Sequence, residues 1–81
     1  MKKEIHIQST AGIHAQLAAK LVDIASHFKA DVRLEYADQT VDAKSVLGLM
    51  SLAVPSGENV TVIANGDDAE AAIFEIEKLL E

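Results

Sequence analysis

The spacing of apolar residues along the chain keeps switching between a period of two and a helical period, and that alternation limits the fold more than any other feature. Ile5 and Ile7 alternate with polar neighbours in residues 3–8, which places both on one face of a strand. Residues 9–12 (Ser-Thr-Ala-Gly) break the pattern as a loop. From Ala15 onward, Ala18, Leu21, Val22, Ala25 and Phe28 recur at helical spacing, which predicts an amphipathic helix ending near His27. Val32, Leu34 and Tyr36 return to period two. Asp38 and Gln39 then turn the chain into a third strand, with Val41 and Ala43 facing the core.

The segment 45–53 is short and apolar nearly all round, and Pro55-Ser56-Gly57 ends it. Gly48 weakens a helix there by about 1 kcal/mol relative to Ala, so a 3₁₀ or irregular form stays open. Val60, Val62 and Ala64 mark a fourth strand, stopped by Asn65-Gly66. In the last helix Ala69, Ala72, Ile73, Ile76, Leu79 and Leu80 form one stripe, and Asp67 with Glu70 makes a capping box. The order β-α-β-β-α-β-α, with apolar stripes on one strand face, predicts an α+β open-faced β-sandwich. Its four-stranded antiparallel sheet would be covered on one face by three helices, in a single domain spanning 1–81.

An 81-residue chain buries only about 60% of its unfolded surface, so the domain depends on a well-formed core, and 49% hydrophobic residues supply one. Absence of cysteine removes disulfides and thiolate metal sites and fits a reducing compartment. The start Met1-Lys2-Lys3-Glu4-Ile5-His6 has no signal-peptide apolar run, and no stretch approaches the ~20 apolar residues of a transmembrane helix. The expected location is cytoplasmic. A net charge of −6 argues against nucleic acid as a direct partner. The histidines lack metal-ligand spacing, so no metal is expected. No nucleotide-binding glycine loop or catalytic triad is present, and no cofactor is called for.

Two places carry chemistry. Gly12-Ile13-His14-Ala15 lies where a loop becomes the first helix. The first N–H groups of a helix have no intrahelical partner, and the helix dipole adds partial positive charge there. A phosphate on the His14 ring can therefore accept hydrogen bonds from the N–H groups of Ala15 and Gln16. Ser45 stands at the start of the middle helix as an N-cap, where a phosphate would also suit the dipole. Leu49 and Leu52 are assigned to the core side of that helix. Val46, Leu47 and Met50 are either a partly exposed docking patch beside Ser45 or additional core, and the pattern alone fits both.

The segment Gly12-Ile13-His14-Ala15-Gln16-Leu17-Ala18 resembles the active-site signature of HPr, the histidine phosphocarrier of the sugar phosphotransferase system. That family reads Gly-Ile/Leu-His-Ala-Arg-Pro-Ala. The glycine, histidine and alanines match, whereas Gln16 and Leu17 replace arginine and proline. Gln16 offers a neutral amide in place of a cation, and Leu17 gives up a residue suited to the first helical turn and is expected to present an apolar side chain near the site. The stretch 44–53 is similar to the regulatory-serine region of the family, and residues 48–54 resemble the Crh branch, paralogues that keep the serine and lose the histidine.

The resemblance covers the whole chain and implies a phosphocarrier, not a turnover enzyme. His14 would take phosphate from enzyme I and pass it to IIA domains, and Ser45 would be modified by HPr kinase/phosphorylase. The alternative it implies is a Crh-type adaptor that binds a catabolite-control transcription factor through phosphorylated Ser45. A third reading is a diverged paralogue that binds the family's partners without phosphorylation at either residue.

Overall fold

The computed structural model describes all residues 1–81. The strands are β1 (Lys2–His6), β2 (Asp31–Tyr36), β3 (Gln39–Asp42) and β4 (Asn59–Asn65). The helices are α1 (Ala15–Ser26), α2 (Val46–Ser51) and α3 (Ala69–Leu80), so the chain order is β-α-β-β-α-β-α as expected. The strands form one antiparallel sheet in the order β1-β4-β2-β3. Period-two burial survives in each long strand: Ile5, Val32, Leu34, Val60, Val62 and Ala64 point into the core. The three helices cover that face and make an α+β open-faced sandwich.

One apolar cluster of 22 residues holds the layers together, and no polar or charged residue is buried. Leu21, Leu49, Ile76 and Leu80 bring the helices onto the sheet with essentially no exposure. Each such side chain contributes roughly 1.5–3 kcal/mol of burial. No helix is long and apolar enough to cross a membrane.

Several local expectations are corrected. Ladder pairing of β1 stops at His6, yet Ile7 stays extended and buried because its N–H donates to Glu58 O at 2.9 Å and its carbonyl accepts from Gly57 N–H at 3.2 Å. The β2–β3 turn is centred on Ala37-Asp38, not on Asp38-Gln39: Tyr36 pairs with Gln39, and both turn residues have positive φ, 52° and 65°. Val41 is half-buried, and Ala43, just past the end of β3, is buried. The capping box at Asp67 and Glu70 does not form. Asp68 is the N-cap of α3, and its carboxylate turns away from the helix to accept the N–H groups of Lys29 and Ala30 at 2.8 and 2.9 Å. It thereby fixes the corner between α1 and β2.

The middle helix is α-helical but short. It closes with i→i−3 hydrogen bonds from Leu52 and Ala53, and Ala53 at φ 52° turns the chain out of it.

Candidate functional site

His14 is the N-cap of α1, with extended backbone at φ −95° and ψ 177°. Its Nδ1 accepts a long hydrogen bond of 3.4 Å from the Leu17 N–H. An acceptor nitrogen carries its lone pair, so the ring proton belongs on Nε2. The expected anion donors Ala15 and Gln16 are both exposed, and their N–H groups make no hydrogen bond within the protein. The helix start therefore presents two free N–H groups, with that of Leu17 already under Nδ1. Sequence reasoning missed the Leu17 N–H. It is the third N–H that α1 leaves unpaired, so the helix boundary at Ala15 was the signal that could have found it.

The Leu17 side chain itself does not border the site. It is only 8% exposed and joins the core with Ala18 and Leu21. Gln16 stands exposed at the helix start, next in sequence to the one apolar departure from the family pattern.

What holds His14 there is the loop before it. Gly12 is buried at φ +68°, and a Cβ at that position would lie 2.2 Å from Val54 O and 2.8 Å from Pro55 C. Only glycine permits so close a backbone approach. The next residue seals the contact, with Ile13 N–H donating to Val54 O at 3.0 Å. The histidine loop is thus clamped to the chain that leaves α2.

Ser45 begins α2 from an extended backbone and caps it, its Oγ accepting the Gly48 N–H at 3.1 Å. The preceding Lys44 anchors this start to the end of α1, donating from Nζ to Phe28 O at 2.9 Å. Along α2, Leu49 and Leu52 are buried as expected. Leu47 is 83% exposed and Met50 44% exposed, while Val46 is half-buried against the core. The reading in which all five residues are core does not hold. His14 and Ser45 stand at the N-termini of different helices, and no hydrogen bond joins them.

His6 lies on the exposed face of β1, with Nδ1 2.8 Å from Asn59 Oδ1. His27 is the exposed C-cap of α1. No group of three or more histidine, cysteine or acidic residues converges on a metal position.

Comparison with known proteins agrees with this geometry. The family model described as the PTS HPr component phosphorylation site matches residues 1–81. The chain is similar to phosphocarrier protein HPr from Bacillus anthracis, with 34% identity and a TM-score of 0.96 over 100% of this chain and 96% of that one. HPr from Thermoanaerobacter tengcongensis is 39% identical, with a TM-score of 0.95 over 99% of this chain and 90% of that one. Crh of Bacillus subtilis, whose crystal structure is a swapped, intertwined dimer, is 38% identical, with a TM-score of 0.81 over 96% of this chain and 90% of that one. With the whole chain matched and a histidine held at the start of α1, the protein belongs to the HPr family of phosphotransferase-system phosphocarriers.

Proposed function

We propose that the chain is a phosphocarrier that accepts phosphate on His14 from phosphorylated enzyme I and delivers it to IIA domains, in the cytoplasm. The observation that carries this reading is the seat of Nδ1 at the start of α1, beside the unengaged N–H groups of Ala15 and Gln16. The Nδ1 lone pair attacks phosphorus, a phosphorus–nitrogen bond forms, and the bond from phosphorus to the donor breaks with its electron pair leaving on the donor. The ring proton stays on Nε2. The three phosphoryl oxygens then meet N–H groups and the helix dipole, which offset part of the negative charge. Transfer to a IIA domain reverses the same step on a new acceptor. His14 is the residue that touches the transferred group, and Ala15 and Gln16 hold it.

Gln16 contributes a neutral amide where the family pattern has a cation. A hydrogen bond from a charged donor is stronger by about 1 kcal/mol, so Gln16→Arg should raise the rate of phosphate transfer about fivefold. The assay is labelling by enzyme I and phosphoenolpyruvate followed over time. An unchanged rate would count against His14 as a working carrier.

Ser45 is proposed as a regulatory phosphorylation site for HPr kinase/phosphorylase. A specific observation also favours a second reading, a Crh-type adaptor: Leu47 and Met50, two and five residues after Ser45, are both exposed on the short helix that Ser45 caps. In that reading phosphorylated Ser45, with Val46, Leu47 and Met50, docks a catabolite-control transcription factor, and His14 is idle. Binding of that factor by Ser45-phosphorylated protein, with loss in Leu47→Ser, supports the adaptor. Equal binding by the unphosphorylated protein removes it.

A further inference from the structure

A shallow groove of about 810 Å³ runs between α3 and the beginning of β1, and neither His14 nor Ser45 lines it. Phe74 and Met1 border it, 58% and 56% exposed. The only other large apolar side chains with such exposure, Leu47 and Met50, are on α2. Phe74 stands outside the stripe by which α3 packs, since Ala72, Ile73, Ile76 and Leu80 already fill the core beneath it. Paired exposed apolar side chains set in a groove mark an interaction surface more often than scattered ones do.

The charge around this apolar floor is mostly negative. Asp67, Asp68, Glu70 and Glu77 line the groove against two cations, Lys3 and the Met1 ammonium, which donates to Ala64 O at 2.7 Å. Lys3 is paired with Glu77, and nearby Lys78 with Glu75, which leaves Asp67 and Glu70 without an ion-pair partner. The Phe74 ring already carries a cation on one face, the Lys78 ammonium 5.2 Å from its centroid. A second copy of this chain would bring another net charge of −6 to the same place, and nucleic acid or anionic lipid would be repelled as well. A cationic polypeptide is the complementary occupant.

We propose that the α3–β1 groove docks a basic segment of a partner protein, with an apolar side chain covering Phe74 and Met1 and flanking arginines meeting Asp67 and Glu70. Arginine suits the site twice over: its guanidinium pairs carboxylates bidentately and stacks on an aromatic face. The surface is separate from the phosphate sites, so a partner held there leaves His14 and Ser45 open to their own partners.

The test is a titration of the full chain with the synthetic peptide acetyl-Arg-Leu-Leu-Arg-amide, followed by backbone amide NMR. Two control peptides replace the arginines by glutamate or the leucines by glycine. Amide shifts should concentrate at residues 1–3 and 67–77, and both controls should bind more weakly. Phe74→Ala should lower affinity about tenfold, as loss of an aromatic anchor does. Glu70→Gln, a surface change that leaves the core untouched, should lower it severalfold and does not depend on how well Phe74→Ala folds. Shifts spread over remote acidic positions such as Asp23 and Glu35, or equal affinity in both variants, would overturn the proposal. So would growth in mass with protein concentration through this face, which would assign the groove to self-association.

Discussion

Replacing Gly12 by alanine tests how the histidine loop is held. At φ +68° an alanine is strained by about 1–2 kcal/mol in the left-handed region. Its Cβ would also meet Val54 O at 2.2 Å and Pro55 backbone at 2.8 Å, and backbone cannot rotate away as a side chain can. The loop must retreat by about 1 Å, which pulls Ile13 N–H beyond hydrogen-bonding reach of Val54 O. Leaving that buried N–H unpaired adds about 1–3 kcal/mol. Gly12→Ala should therefore cost about 2–5 kcal/mol, against a total stability of about 4–12 kcal/mol for a chain of this length. The assay is urea unfolding, where a slope near 1 kcal/mol per molar turns this into a midpoint drop of about 2 M or more. Gly57→Ala is the internal control. Gly57 also has positive φ, 85°, but an added Cβ meets nothing within 4 Å, so only the strain of about 1–2 kcal/mol applies. Equal midpoints for the two variants would refute the clamp between the histidine loop and the Val54–Pro55 chain.

Other outcomes follow from single contacts. Ser45→Ala removes the acceptor for Gly48 N–H and should lower stability by about 0.5–2 kcal/mol in urea unfolding, with loss of kinase-dependent labelling from ATP. Ala37→Gly relieves left-handed strain of about 1–2 kcal/mol and gives back about 0.4–1 kcal/mol in unfolded-state entropy, so it should stabilise by about 0.5–1 kcal/mol. Asp68 is held below the ordinary aspartate value of 3.8, first by the Lys29 N–H and with further help from Ala30 N–H, against an opposing desolvation effect. A lowered folded-state value contributes stability above pH 3.8 that is lost as pH falls through it. Acid melting curves should show that loss in the native chain, and Asp68→Asn should be less stable at neutral pH and flatter across the acid range.

Where the sequence was read correctly, the reason is periodicity. Period-two alternation marks Val32, Leu34, Val60 and Val62, and a helical stripe marks Ala72, Ile73 and Ile76, because each residue's environment is set within a few positions. His14 and Ser45 were legible as helix starts for the same local reason. What escaped depends on contacts distant in sequence. Asp67 looked like the cap of the last helix, yet Asp68 takes that place and its carboxylate serves backbone 38 and 39 residues away. Leu17 looked like a neighbour of the phosphate because proline is expected there, and packing against the sheet decided otherwise. Ala37 and Ala53 carry positive φ with no glycine or asparagine to announce it, so the hairpin turn and the end of α2 were each misplaced slightly. The clamp on the histidine loop was half visible, in Gly12, while its other half is the carbonyl of Val54, which no side chain advertises.

The central claim is that His14, seated over the first N–H groups of α1, carries phosphate even with Gln16 beside it. Intact mass after incubation with enzyme I, Mg²⁺ and phosphoenolpyruvate tests this most directly, with His14→Ala and a conventional HPr run alongside. The account predicts a gain of one acid-labile phosphate that is absent in His14→Ala. No gain in the native chain, while the conventional HPr is labelled, would contradict it and move the function to Ser45 and the exposed side of α2.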